Sequence, residues 1–268
     1  MHPRSILPLA KTRVVVTGAS SGIGRAVAIF AASSGAESIV VHCHRNRAGA
    51  DQTADEMRAS DCTPQVLSCD LADASERANF VDRCFTTLTT IDAWIHCAGA
   101  DVLTGEAADW SFDEKLRHLI DVDLVGSIAT GRLVGSRLRD QASADPQRFP
   151  ASMVFIGWDQ ATCGMEGDAG QMFGPIKAGV EAFAKSLAQD LAPSVRVNTI
   201  APGWIQTEWG KTTSGYWNDR ALNQSLMHRW GTPQDVAAAA IFLATPTNDF
   251  ITGQTLDLNG GWNRTMKK

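Results

Sequence analysis

A single tyrosine, Tyr216, occurs in 268 residues. Chemistry that needs a phenolic proton has only that residue to draw on. Long apolar runs are also missing: no stretch reaches the about 18 consecutive apolar residues of a membrane span, so no membrane partner is expected. The N-terminal MHPRSILPLAKTR has neither the long apolar core nor the small-residue cleavage site of a secretory signal. The six cysteines (Cys43, Cys62, Cys69, Cys84, Cys97, Cys163) show no CxxC and no paired metal-ligand spacing. They read as reduced thiols of a cytoplasmic protein, several of them on strands, and no metal is expected. Neither charge sign dominates. A net charge of −5, with both signs mixed, argues against nucleic acid as a partner, because that surface needs a basic face.

What is present fits one large globular domain over residues 1–268, 44% apolar and 20% charged. Short apolar runs recur, each followed by a turn or a helical pattern. Strands are expected at 13–17, 38–43, 65–69, 93–96, 153–156, 195–200 and 255–258. Helices are expected at 23–33, over 111–139 with an interruption at Gly126, at 173–191, and from Pro233 through Leu243. The alternation predicts an α/β fold: a Rossmann-like, doubly wound, seven-stranded parallel sheet covered by helices on both faces. Ligands of such sheets bind beyond the carboxyl ends of the strands.

Between the first strand and its helix lies Thr17-Gly18-Ala19-Ser20-Ser21-Gly22-Ile23-Gly24. Gly18 permits a tight turn, Gly22 lets the backbone approach a pyrophosphate, and Gly24 lets the helix pack close to the sheet. The helix start then offers free N–H groups to phosphate. Placement after a strand and before a helix makes this a dinucleotide signal rather than a bare turn.

The spacing TGxxxGxG resembles that of the short-chain dehydrogenases/reductases, and further pieces match in order. Cys97-Ala98-Gly99 resembles the end of the family's NNAG turn, and Lys177-Ala178-Gly179 the KAG of its catalytic helix. Arg196-Val197-Asn198, Ala201-Pro202-Gly203 and Thr207 resemble its RVN…PG…T segment. Pro233-Gln234-Asp235-Val236-Ala237, Ile251-Thr252-Gly253-Gln254, Asp257 and Gly260-Gly261 resemble its C-terminal signatures. The likeness is strongest to 3-oxoacyl-carrier-protein reductase-like members. It implies oxidoreductase activity on a small molecule, a homo-oligomer (dimer or tetramer), and cofactor contacts from Cys97, Ala98, Gly99, Lys177, Pro202, Gly203, Trp204, Ile205 and Thr207.

The second strand ends His42-Cys43-His44-Arg45-Asn46-Arg47. An NAD site usually carries an acidic residue there to bond the ribose hydroxyls. Here Arg45 can grip a 2′-phosphate, with His44 and Asn46 adding hydrogen bonds, so the expected cofactor is NADP(H). Two other readings stand beside this one: Arg45 and Arg47 merely solvate a loop, or His42 and His44 bind a metal. Asp70-Leu71 occupies the place where the family contacts adenine; Asp70 also reads as a helix N-cap.

The family's Asn, Ser, Tyr and Lys set is interrupted. Lys177 is retained, but Phe173 stands one helical turn earlier where the tyrosine is expected. Asp123 takes the Asn place. Trp158 takes the Ser place, although a longer loop leaves Asp159 or Gln160 as alternatives. Asp123 near Lys177 is expected to pair with it. Asp159 beside Trp158 is expected to be desolvated into a useful acid. Glu166, Tyr216 and Asp168, the last in the apparent loop Gly167-Asp168-Ala169-Gly170, are further proton-transfer candidates. The loop after Pro202-Gly203 carries Trp204, Trp209, Lys211 and Trp217, with Trp230 beyond. These aromatics suit a flat or apolar substrate, or a subunit interface. Two functions follow: an NADP(H)-dependent oxidoreductase of carbonyls or imines with a rebuilt acid/base set, or an inactive NADP(H)-binding module acting as sensor or partner subunit.

Overall fold

A computed structural model describes residues 7–208, 210 and 213–262, so Trp209 and Lys211 lie outside the described residues. The strands are β1 (Arg13–Thr17), β2 (Ser38–Cys43), β3 (Thr63–Ser68), β4 (Ala93–His96), β5 (Ala151–Ile156), β6 (Val195–Pro202) and β7 (Thr255–Leu258). They form one seven-stranded sheet in the order β3-β2-β1-β4-β5-β6-β7. Every pairing is parallel.

The described helices are α1 (Gly22–Ser33), α2 (Arg47–Met57), α3 (Ala74–Leu88), α4 (Phe112–Leu119), α5 (Ser127–Ala144), α6 (Gly167–Leu191), α7 (Gly215–Gln224) and α8 (Pro233–Ala244). Alternation along β1 sends Val14 and Val16 to one face, where residues of α1, α2 and α8 bury against them. Val15 goes to the other face, into a core with Trp94, Phe155 and residues of α3, α5 and α6. The doubly wound expectation holds. The winding reverses between β1 and β4, which opens a crevice at their carboxyl ends.

Several elements differ from the periodicity reading. The helix expected at 173–191 begins at Gly167, so Gly167-Asp168-Ala169-Gly170 forms its first turn instead of a loop, and Pro175 sits inside it. The interruption near Gly126 is a π-helical turn, Ile120–Gly126, inserted between α4 and α5. Helices α2, α3 and α7 were not anticipated. In α2 the buried face is mostly small (Gly49, Ala50, Thr53, Ala54, Met57), and in α7 only Ala221 is buried, so neither carries an apolar stripe. The α3 signal was there to read: Phe80, Val81, Cys84, Phe85 and Leu88 recur at helical spacing behind Asp73, whose side chain accepts from Ser75 and Glu76 N–H. Of the six cysteines only Cys43 lies within a strand. Among the described residues no helix is long and apolar enough to cross a membrane.

Candidate functional site

A cavity of about 950 Å³ opens at the carboxyl ends of the strands. Gly18, at φ +65°, packs so closely on the Cys97-Ala98-Gly99 turn that a Cβ would sit 2.8 Å from Ala98 Cα. Gly22 opens to the cavity, with no atom nearer to its would-be Cβ than Thr207 Cγ2 at 4.0 Å. A Cβ on Gly24 would lie 2.2 Å from the Gly18 carbonyl oxygen, so Gly24 clears the glycine turn itself as well as the sheet. Ser21 precedes α1 without a side-chain cap, and the first turn holds no acid. With Ser20 and Ile23 also on the wall, the first N–H groups of α1 and their dipole face the cavity.

His42 fastens this turn to the sheet. Gly18 N–H donates to its Nδ1 at 3.1 Å, so Nε2 carries the proton and donates to the Cys69 carbonyl at 3.1 Å. Burial holds its pKa down to about 4, which keeps the ring neutral. Both ring nitrogens are thereby engaged, which corrects the reading of His42 and His44 as metal ligands.

The end of β2 separates the two arginines. Arg47 pairs with Asp51 at 2.9 Å along α2. Arg45 is exposed on the cavity wall, and no side-chain bond holds its guanidinium among the described residues. His44 Nε2 lies 3.7 Å from Asp70 Oδ2. Asn46 caps α2 by accepting from Gly49 N–H at 3.0 Å. Asp70 accepts from Ala72 N–H at 2.9 Å, while the cap of α3 is Asp73, which corrects the N-cap reading of Asp70. Asp70 and Leu71 both line the cavity.

Across the switch point, Lys177 Nζ donates to Asp123 Oδ2 at 2.9 Å, and Asp123 Oδ1 accepts from Ala100 N–H at 2.7 Å. Asp123 is 2% exposed. The π-helical turn carries it to this position. The expected pairing of Asp123 with Lys177 is therefore present. Trp158 and Phe173 both line the cavity and meet edge to face, with ring centroids 6.4 Å apart. Trp158 is positioned by its N–H, which donates to Glu181 Oε1 at 3.1 Å. Pro202, Gly203, Trp204, Ile205, Thr207, Trp217 and Trp230 complete the far wall.

The other proton-transfer candidates are elsewhere. Asp159 is turned toward β6 and β7: its N–H donates to the Pro202 carbonyl at 3.1 Å, and its Oδ2 accepts from Asn259 Nδ2 at 3.2 Å. It does not line the cavity, which corrects its placement in the catalytic set. Gln160 is buried beside it with both amide atoms unpartnered among the described residues. Tyr216 and Glu166 bond each other at 3.0 Å on the surface, and neither they nor Asp168 line the cavity. Sequence reasoning missed His118, which lines the cavity one helical turn before Val122 and packs edge-on to Trp110 at 5.4 Å. Its i, i+4 spacing from Val122, next to Asp123, was the available signal.

A sequence model of the family described as Enoyl-(Acyl carrier protein) reductase matches residues 18–263. Cyclohexanol dehydrogenase of Rhodococcus sp. (strain TK6) is 31% identical over 272 residues, covering 95% of this chain and 97% of that protein. The chain belongs to the short-chain dehydrogenase/reductase family. Its fold is also that of 7α-hydroxysteroid dehydrogenase solved with NADH and 7-oxo glycochenodeoxycholic acid, at a TM-score of 0.84, 24% identity and full coverage of both chains. The NADP-bound 3-oxoacyl (acyl-carrier-protein) reductase of Agrobacterium tumefaciens C58 aligns at a TM-score of 0.80 and 24% identity, covering 98% of each chain. Around Lys177 the cavity of this chain is lined by Phe173, Trp158 and Asp123.

The buried carboxyl gives a pH test. Burial raises the Asp159 pKa to about 7, with Asp257 and Glu181 adding to the rise and the Asn259 bond opposing it. The folded state then binds this proton more tightly than the unfolded chain between about pH 4 and 7, so the contribution of Asp159 is lost as pH rises through that window. In Asp159→Asn the contribution is absent. Its stability relative to the parent should therefore grow from pH 5 to pH 7, by at most about 1.4 kcal/mol per pH unit. Urea unfolding at the two pH values measures this, and a difference unchanged with pH would remove Asp159 from the titrating set.

Proposed function

We propose that the chain is an NADP(H)-dependent oxidoreductase acting on a flat or apolar small molecule at a carbonyl or imine carbon. One observation carries the cofactor choice. Arg45 stands exposed at the end of β2 with its guanidinium unbonded among the described residues, while Arg47 beside it is paired with Asp51. A planar fork of donors in that position suits a 2′-phosphate. The glycine turn fits the diphosphate: Gly22 leaves room for it, and the uncapped start of α1 supplies donors and positive dipole. Asp70 and Leu71 would flank the adenine, and Lys177, steadied by Asp123, would bond the nicotinamide ribose. Bound there, the dinucleotide supplies or accepts a hydride at nicotinamide C4. Trp158, Phe173, Trp204 and Trp217 shape the space beyond and exclude water from it.

The reading includes a homo-oligomer. Ile120, Val125 and Leu133 expose apolar surface along the α4–α5 rod, and among the described residues β7 leaves its outer edge unpaired at the end of the sheet, with Leu256 exposed on it.

Arg45→Ala is expected to weaken NADPH binding about ten- to hundredfold, the worth of one or two charge-assisted hydrogen bonds. NADH binding should hardly change. Parallel fluorescence titrations of both dinucleotides read this. Equal affinity of the unmodified protein for NADPH and NADH, or tighter NADH, would end the NADP(H) reading.

A further inference from the structure

On the side of the cavity beyond β4 and β5, both hydroxyls that the family pattern leads one to expect are missing, and two π-faces stand in their place. Trp158 and Phe173 meet edge to face at 6.4 Å, so one ring turns its edge to the other, and both border the cavity. No uncompensated lysine or arginine borders this side among the described residues. Asp101 borders it, and the lysine there, Lys177, is already neutralised by Asp123 at 2.9 Å. On the far wall an aromatic pair already holds a cation: the Arg220 guanidinium lies 5.8 Å from the ring centre of Trp204 and 5.4 Å from that of Trp217. Electron-rich aromatic faces attract a desolvated cation.

Resting on the dinucleotide reading above, we propose that the substrate of this site is a preformed iminium ion, a flat C=N⁺ compound held against Trp158 and Phe173. The chemistry agrees with the missing donors. Reducing a ketone requires one hydride at carbon and one proton at oxygen. Reducing an iminium ion requires the hydride alone: a C–H bond forms, the C=N π pair becomes the nitrogen lone pair, and a neutral tertiary amine leaves. The reduced dinucleotide is oxidised, and no proton is transferred. A site without phenol or serine hydroxyl loses nothing for such a substrate.

Two measurements test this, one independent of turnover. Phenyltrimethylammonium and tert-butylbenzene have the same shape and differ in charge. Titrated by calorimetry into the NADP⁺-loaded protein, the cation should bind about tenfold more tightly than its neutral counterpart. Trp158→Leu and, separately, Phe173→Leu should erase most of that difference. Equal binding of the two probes, or a preference unchanged in both variants, overturns the proposal. In the second measurement, NADPH oxidation with N-methyl-3,4-dihydroisoquinolinium should exceed that with 1-tetralone at least tenfold. Ketone turnover as fast as iminium turnover, with His118 or water giving the proton, overturns it, as does an iminium ion that is neither bound nor reduced. Failure to bind NADPH at all is a different result: it removes the dinucleotide reading, and this inference with it.

Discussion

Phe173→Tyr combined with Trp158→Ser should raise NADPH-dependent ketone reduction by about 10²–10⁴-fold over the unmodified chain, the usual worth of a positioned proton donor. Phe173 lies one helical turn before Lys177 on α6, and both side chains border the cavity. The first substitution adds one oxygen to a ring already in place and leaves the backbone of α6 untouched. The Lys177 ammonium nearby would favour the phenolate that forms on proton release. The second substitution has two effects. It supplies a hydroxyl to hold the carbonyl oxygen, and it clears an indole that packs edge to face against position 173. Initial rates of NADPH loss with 1-tetralone, for the double variant and both single variants, measure the gain. A double variant that binds NADPH but reduces the ketone no faster than its parent would mean that the cavity is reshaped more deeply than these two side chains. Because the double variant also removes the indole face, its preference for a cationic probe should fall as ketone turnover rises.

Lys177→Met should cost about 3–5 kcal/mol of folding stability at pH 7, the typical cost of leaving a buried charge without its partner. Asp123 is 2% exposed and faces Lys177 at 2.9 Å, so removing the ammonium leaves its carboxylate with little solvent to replace the lost partner. The Ala100 N–H that donates to its other oxygen at 2.7 Å remains, which places the loss toward the lower end of that range. Adding Asp123→Asn should recover most of the loss, because an amide needs no counter-charge; the double-mutant cycle isolates the pair. Urea unfolding of the four proteins reads the result. A loss below about 1 kcal/mol for Lys177→Met would class the contact with solvent-screened surface pairs. NADPH affinity should fall in the same variant, since Lys177 is the side chain proposed to bond the nicotinamide ribose.

The fold was largely legible because its signals are local. Arg13–Thr17, Ser38–Cys43, Ala93–His96 and Thr255–Leu258 have the same bounds in the structure as the apolar runs that predicted them. Of these, β1, β2 and β4 are buried on both faces and so read as apolar runs visible without knowing their neighbours, whereas β7 is exposed at Leu256 and Asp257. The glycine turn was legible for the same reason, since positive φ at Gly18 and Gly22 marks its own sequence. Helix α2 was not: its buried face is mostly small side chains that make no apolar stripe, and part of what holds it is polar, Thr53 Oγ1 donating to the Ala19 carbonyl of the glycine turn at 2.9 Å.

By itself, the sequence determined the parallel α/β order, the glycine turn after β1, the basic end of β2 and the aromatic residues at positions 173 and 158. Only the tertiary structure decided which carboxyl faces the cavity. Asp159 stands beside Trp158 in the chain yet turns to Asn259, whereas Asp123, far from Lys177 in sequence, meets it through the π-helical turn. It also decided that Arg47 is spent on Asp51 while no side-chain bond holds the Arg45 guanidinium among the described residues, and that His118 lines the cavity. The physical reason is range. Propensity, periodicity and glycine geometry act over a few residues, but the direction of a side chain at the end of a strand is set by packing against segments that arrive from elsewhere in the chain.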